Sequence, residues 1–424
     1  MSGQTTVIAA PQIEQYLLGH QPILDRKLDL YAFELSFHSG QTHPEADTDR
    51  VSAAASLINA ILYDSHVDQA LSTYKGFIKV DPALLASDML QLLLPDRIGI
   101  EIPATLPIDQ NTVERCRGLR ARGFELALDG YGAVDERFYP LIELVHHVKV
   151  DVRRAGPKAL SKLVRHLRRW PVKLLAENVE EHSEVAHCLE LGIDLFQGYF
   201  FAQPKIVPGR HLLHSELSLL KLIGLVNAEV EPAVIENALR EDPALAMDML
   251  RLTNSAASGI PRRVTSLSQA IIVLGQRQLQ RWLQLLLFSR LAPRSAFPSP
   301  LLQLVATRAR FMELIAGTLL TADKALADRA FLSGVISLMG TLFAQPLAEI
   351  IEHIFIPLDV RVAVLERQGT LGRLLRLAEQ LERGGDDQVF LKLHKELPGL
   401  DLHAISEAHI AALTWANNLG SETP

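Results

Sequence analysis

An α/β domain followed by an all-α domain is the architecture this sequence predicts, on three observations. Short apolar runs alternate with amphipathic stretches from residue 20 to about residue 200. From Leu212 onward, apolar residues recur at helical spacing and strand-like alternation fades. Between the two patterns lies QPKIVPGR, whose prolines mark a junction near Pro204–Arg210. The expected domains are therefore 1–207 and 208–424.

The first half contains eight runs of strand length: HQPIL, LYAFELSF, GFIKV, RIGIEI, FELALD, HHVKVD, KLLAEN and IDLFQG. Helical stretches such as Asn111–Arg122 and Lys158–Trp170 separate most of them. Repeated strand–helix units imply a parallel sheet, and eight of them fit a closed (β/α)8, TIM-like barrel. The second half carries LLKLIGLV, PAVIENALRE, LAMDMLRL and LSQAIIVLG, punctuated by Asp242-Pro243 and by Ser258-Gly259-Ile260-Pro261. Asn254-Ser255 is expected to cap or turn a helix there.

Composition limits the function classes. The 424 residues are 48% hydrophobic, with a formal net charge of −7. The mean hydropathy of +0.14 leaves little room for extensive disorder. The acidic balance argues against a basic nucleic-acid-binding face. Two cysteines, Cys116 and Cys188, form no CxxC pair, so neither a zinc ribbon nor a disulfide framework is expected. The opening MSGQTTVIAAPQ lacks the pattern of a secretory signal, and no apolar run reaches the ~20 residues that span a bilayer. The expectation is a soluble cytoplasmic protein without nucleic-acid or membrane partners.

Chemistry is expected at the strand ends. Glu101 ends GIEIP, Asp129 ends LALDG, Lys149 and Asp151 end VKVD, Glu177 ends LLAEN, and Gln197 ends IDLFQG. Residues at the carboxyl ends of barrel strands converge on one mouth. A charge in an apolar run is costly unless paired or solvated, so a series of them suggests a shared polar cavity. Acids beside an amide or lysine also suit a phosphodiester site assisted by hard divalent cations. His146 and His147 fall on opposite faces of one strand, which suits packing better than joint metal binding.

HQPILDRKLDLYAFELSF, GFIKVDPALL, IGIEIPAT, LALDGYGAV, HHVKVD, LLAENVE and FQGYFFAQP resemble, in order, the motifs of the EAL family, phosphodiesterases and receptors of cyclic di-GMP. The second half, LREDPALAMDMLRLTNSAASGIPRRVTSLSQAIIVLG, resembles HDOD domains, relatives of the HD phosphohydrolases. VISLMG stands where active HD relatives carry a His-Asp pair, with Ser337 and Leu338 in those places. The resemblance places Glu34, Glu101, Asp129, Lys149, Glu177 and Gln197 on family site positions. It also marks three departures: Lys79 for a metal-holding asparagine, Gly130 for a second aspartate, and His38 for a phosphate-binding arginine.

Charge gives those departures weight. The family's metal-holding residues sum to −4, whereas Glu34, Glu101, Asp129 and Lys79 sum to −2. Lys has no lone pair to offer while protonated. Two unit charges 4 Å apart interact by about 4 kcal/mol at an effective dielectric of 20. The expectation is accordingly a non-catalytic signalling adaptor with a degenerate EAL site, not an enzyme. No catalytic residue, cofactor or metal is expected, and Mg²⁺ or Mn²⁺ belongs only to the alternative of an active cyclic di-GMP phosphodiesterase. A further alternative is a receptor that binds the nucleotide without cleaving it. The HDOD domain is expected to bind a protein partner, with cyclic di-GMP a weak ligand at most and a homodimer left open.

Overall fold

The computed structural model describes residues 16–39, 58, 71–203, 232–240, 243–291, 299–319, 324–354, 356–383, 392–393, 395–397 and 399–419. The expected junction at 204–210 and the run LLKLIGLV lie outside the described residues.

Eight strands close into a barrel in sequence order. They are β1 Tyr16–Leu24, β2 Leu30–Ser39, β3 Lys75–Lys79, β4 Ile98–Pro103, β5 Leu126–Asp129, β6 His147–Asp151, β7 Lys173–Glu177 and β8 Leu195–Gln197. The expectation of an all-parallel sheet is corrected at β1, which runs antiparallel to both β2 and β8. The cause is local. Asp25 Oδ1 accepts from the backbone N–H groups of Lys27 and Asp29, at 2.8 and 3.0 Å. Leu28 adopts φ 63° in the same turn. Asp folds the chain back on itself here, so β1 and β2 form a hairpin with no crossover helix. β2 to β8 run parallel.

Helices between the later strands cover the barrel. Gln110–Ala121 (α1) is capped by Asp109, whose side chain accepts from Thr112 N. Pro157–Leu167 (α2) buries Leu160, Leu163, Val164 and Leu167, the 3.6-residue stripe that its sequence predicts. His182–Glu190 (α3) starts with a capping box between Glu181 and Glu184.

The second domain is helical throughout its described part, as expected. Its helices are α4 Pro232–Arg240, α5 Pro243–Thr253, α6 Leu267–Leu291 (two helical segments that meet at a kink at Gly275, φ +68°), α7 Pro300–Leu319, α8 Lys324–Ile336, α9 Leu358–Glu366, α10 Gly369–Glu382 and α11 Leu402–Asn417, with shorter turns between α8 and α9. Its core contains Trp282, fully buried and stacked on Trp415 at a centroid distance of 5.6 Å. Asn254 does more than turn a helix: its amide donates to the carbonyls of Leu250 and Val264, and its oxygen accepts from Val264 N at 2.7 Å. It thereby staples the NSAASGIP loop to the end of α5.

Among the described residues one stretch, Ala325–Phe343, is long and apolar enough to cross a membrane, and 67% of its most apolar window is buried inside the domain. Cys116 and Cys188 are free and buried, and burial pushes their thiols up to about 12 and about 11.

The two domains pack on each other through β1. Ile410 and Leu413 of α11 join the apolar cluster that surrounds the barrel. His20 of β1 meets His409 of α11 at a ring-centroid distance of 4.8 Å. A second contact lies at the end of α10. Arg308 of α7, fully buried, donates to Glu382 through Nε at 2.7 Å, to Ser337 Oγ at 2.7 Å and to the Tyr199 hydroxyl at 2.5 Å. Tyr199 follows β8, so one guanidinium ties the helical core to the barrel's last strand.

Candidate functional site

Side chains alternate between the two faces of a strand, so every second residue points into the barrel. Ile23, Ala32, Phe77, Ala127, Leu175 and Leu195 form an apolar inner cluster. Two residues further toward the mouth on the same strands stand Gln21, Glu34, Lys79, Asp129, Glu177 and Gln197. β4 and β6 add Glu101 and Lys149 to this layer. Gly99 fills the inner position of β4, where a Cβ would come within 2.4 Å of the Phe77 ring. Glycine there lets Phe77 plug the barrel beneath the polar layer.

Lys149 is the hub of that layer. It is fully buried, and its ammonium lies 2.6 Å from Glu34, 2.9 Å from Glu101, 3.2 Å from Glu177 and 3.9 Å from Asp129. Lys79 lies at the rim with its side chain 51% exposed, and its Nζ is 2.7 Å from Asp129 Oδ2. Gln197 donates to Glu34 Oε2 at 2.5 Å and to Gln21 Oε1 at 2.6 Å.

Burial raises every carboxyl in this layer, and the ammonium groups pull each one back to a different extent. Burial dominates at Glu101, pushed up to about 8 with Glu34 adding repulsion, and at Glu177, pushed up to about 7. Burial also opposes ionisation of Glu34, but Lys149 and Gln197 hold it below the usual range. Asp129 is buried too, and Lys149 and Lys79 hold it low. Burial works against both ammoniums as well, yet Asp129 raises Lys79 and the surrounding carboxylates raise Lys149. Four carboxylates share two ammoniums, so burial and mutual repulsion leave Glu101 and Glu177 raised.

All six residues expected at family site positions thus converge, and Lys79 joins them. Gly130 follows Asp129 with φ +71° and open space around its missing Cβ. Sequence reasoning missed Gln21. Its only signal is that it precedes Ile23 by two residues, and recognising it requires knowing that β1 is antiparallel. Asp151 is engaged in capping the turn after β6: it accepts from Arg153 N and Arg154 N and from the Asn178 amide at 2.9 Å. His38 pairs with Leu17 in the β1–β2 register, and its side chain lies outside the described residues. The paired histidines behave as expected for packing. His146 accepts from Leu126 N at 3.1 Å, while buried His147 meets Glu125 at 3.0 Å.

Among the described residues, no three carboxylates or imidazoles converge into a ready cage. Lys149 lies between the acids and Lys79 caps Asp129. Glu34, Glu101 and Asp129 are the groups with the chemistry to hold a hard dication, and each is held here by Lys149 or Lys79. In the helical domain, the Ser337 hydroxyl accepts from the Arg308 guanidinium.

The EAL domain family matches residues 69–204 and the HDOD domain family residues 217–354. The chain is 30% identical over 416 residues, 95% of its length and 92% of the relative's, to a Vibrio cholerae protein named cyclic di-GMP phosphodiesterase CdgJ. It is 25% identical over 410 residues to YuxH of Bacillus subtilis, covering 95% of this chain and 98% of that protein. A solved structure of the EAL enzyme Bd1971 in its cGMP-bound form matches with a TM-score of 0.39 and 18% identity, over 44% of this chain and 60% of that chain. The likeness to CdgJ overturns the expectation that the chain is not an enzyme. The physical reason is in the layer itself: the departures at Lys79 and Gly130 leave all four carboxylates and the buried lysine in place. A closed barrel, a helical partner domain and a full-length relative lead to one conclusion: this chain belongs to the EAL–HDOD family of cyclic di-GMP signalling proteins.

Proposed function

We propose that the chain hydrolyses cyclic di-GMP to the linear dinucleotide. The observation that carries this reading is the convergence of Glu34, Glu101, Asp129, Glu177 and Gln197 about Lys149 in one polar layer. The full-length similarity to CdgJ supports it.

Glu34, Glu101 and Asp129 are the residues that would hold a divalent ion, which when bound supplies charge to a phosphate oxygen and an activated water. Lys149 fixes the directions of Glu34 and Glu101 by bonding both. Glu177, with its carboxyl near neutrality and hydrogen-bonded to Asp129, is suited to take a proton from water or return one to the leaving oxygen. Gln197 Oε1 is buried and has no partner among the described residues, so it offers an acceptor to a bound water or ligand hydroxyl.

Chromatography of cyclic di-GMP incubated with the full chain and Mn²⁺ tests the reading. Linear dinucleotide should accumulate, and Glu101→Gln should lower the rate by at least about 100-fold, the scale of losing a principal electrostatic group. Saturable binding without product would refute hydrolysis and favour a receptor.

We infer a protein partner for the helical domain. Val234, Met247, Ile272 and Val273 support this, because these large apolar side chains remain exposed on α4, α5 and α6.

A further inference from the structure

We propose that Gln21 is a positioning residue through which the helical domain orients Gln197 and Glu34; this rests on the hydrolytic reading above. A continuous chain of hydrogen bonds links the two domains. Gln21 Nε2 donates to the main-chain carbonyl of Arg383, at the end of α10, at 2.7 Å. Gln21 Oε1 accepts from Gln197 Nε2 at 2.6 Å, and the same amide donates to Glu34 Oε2 at 2.5 Å. Lys149 grips that oxygen from the other side at 2.6 Å.

The polarity of the chain is forced from one end. An ionised Glu34 only accepts, so Gln197 must turn its NH₂ toward it. The second hydrogen of that NH₂ then needs an acceptor, which fixes the Gln21 oxygen toward Gln197. The Gln21 NH₂ is left facing outward, where a carbonyl is the group it requires. Flipping either amide would set oxygen against oxygen, so each link specifies the next. Gln197 Oε1 is consequently held free on the site side of the chain.

The outer anchor is firm. Arg383 also lays its guanidinium over the Tyr199 ring, 4.5 Å from the centroid, and its neighbour Glu382 pairs with buried Arg308. A shift of α10 relative to β1 therefore moves the Arg383 carbonyl, and through two amides the oxygen of Glu34. Small misplacements of a catalytic group cost rate far more than binding.

Gln21→Met and Gln21→Asn test this in the full chain with cyclic di-GMP and Mn²⁺. The first has no polar atoms, and the second is too short to bridge both partners. Both should lower kcat about tenfold with KM within twofold of wild type. In a Gln197→Met background the same substitutions should be silent, because Gln21 acts through Gln197. Hydrogen exchange at residues 378–383 supplies a readout independent of turnover. It should quicken in Gln21→Met and in Gln197→Met, and by no more in the double variant. Additive losses of kcat, or wild-type kcat with unchanged exchange, would overturn the proposal. A wild-type chain that turns over no cyclic di-GMP defeats the hydrolytic reading alone. Exchange then decides this inference, quickening for it and unchanged exchange against it.

Discussion

Lys79 controls the charge of the barrel mouth. Its ammonium lies 2.7 Å from Asp129 while half its side chain remains in water. Replacing it by Asn removes a repulsion of several kcal/mol toward a nearby dication at an effective dielectric of 20. Gly130→Asp adds a carboxylate where open space exists, at a backbone cost of about 1 kcal/mol for the left-handed φ, which Asp tolerates better than most residues. Lys79→Asn with Gly130→Asp should therefore tighten Mn²⁺ binding at least tenfold in a calorimetric titration. No gain in a folded double variant would remove the electrostatic account of these two departures. Both departures were legible in the sequence, because the family motifs fix their positions. The size of their effect was not, since the consequence depends on Lys149, whose contact with four acids at once is a property of the closed barrel.

At the scale of elements, the apolar runs read from the sequence fall on all eight strands, most of them buried on both faces. What the pattern could not reveal is direction: HQPIL reads identically whether parallel or antiparallel. The Asp25–Asp29 turn decides that, and it decides in turn that Gln21 faces the mouth. Ion pairs tie strands together near the inner end of the barrel. Lys75 of β3 holds Glu125 just before β5 at 2.8 Å, and Glu125 meets His147 of β6 at 3.0 Å. His147 and Lys75 outweigh burial and pull the Glu125 carboxyl down to about 2. A depressed carboxyl stabilises the fold above its unfolded value of 4.5, and that contribution fades as pH falls toward 2. Glu125→Gln should accordingly lose about 1 kcal/mol of stability at pH 7, a modest figure for a partly exposed site. The gap from wild type should close by about pH 2 in urea titrations. A constant gap across that window would exclude the ion-pair explanation.

For the whole molecule, the Arg308 knot sets how the domains hold together. Burial and Arg308 act oppositely on Glu382, and burial leaves its carboxyl raised. Arg308→Met would strand that carboxyl in the core and should cost about 3–5 kcal/mol, read from the urea midpoint. Arg308→Met with Glu382→Leu should recover most of the loss, because no charge then stays buried. If the double variant is no better than the single, packing around Tyr199 rather than charge carries the contact. The change of period between the halves announced two domains, but not this knot, because a buried arginine in a helical run reads as a solvated face until its partners arrive from elsewhere in the chain.

The seating of β1 against α11 also has a consequence for biosynthesis. A strand made early on the ribosome keeps one flank wet until a helix made hundreds of residues later arrives to cover His20. A nascent or truncated barrel ending near residue 207 would expose that seam as an uncovered apolar face. Chaperone capture and aggregation of such fragments, relieved when the remainder is supplied in trans, are the cellular signs to seek.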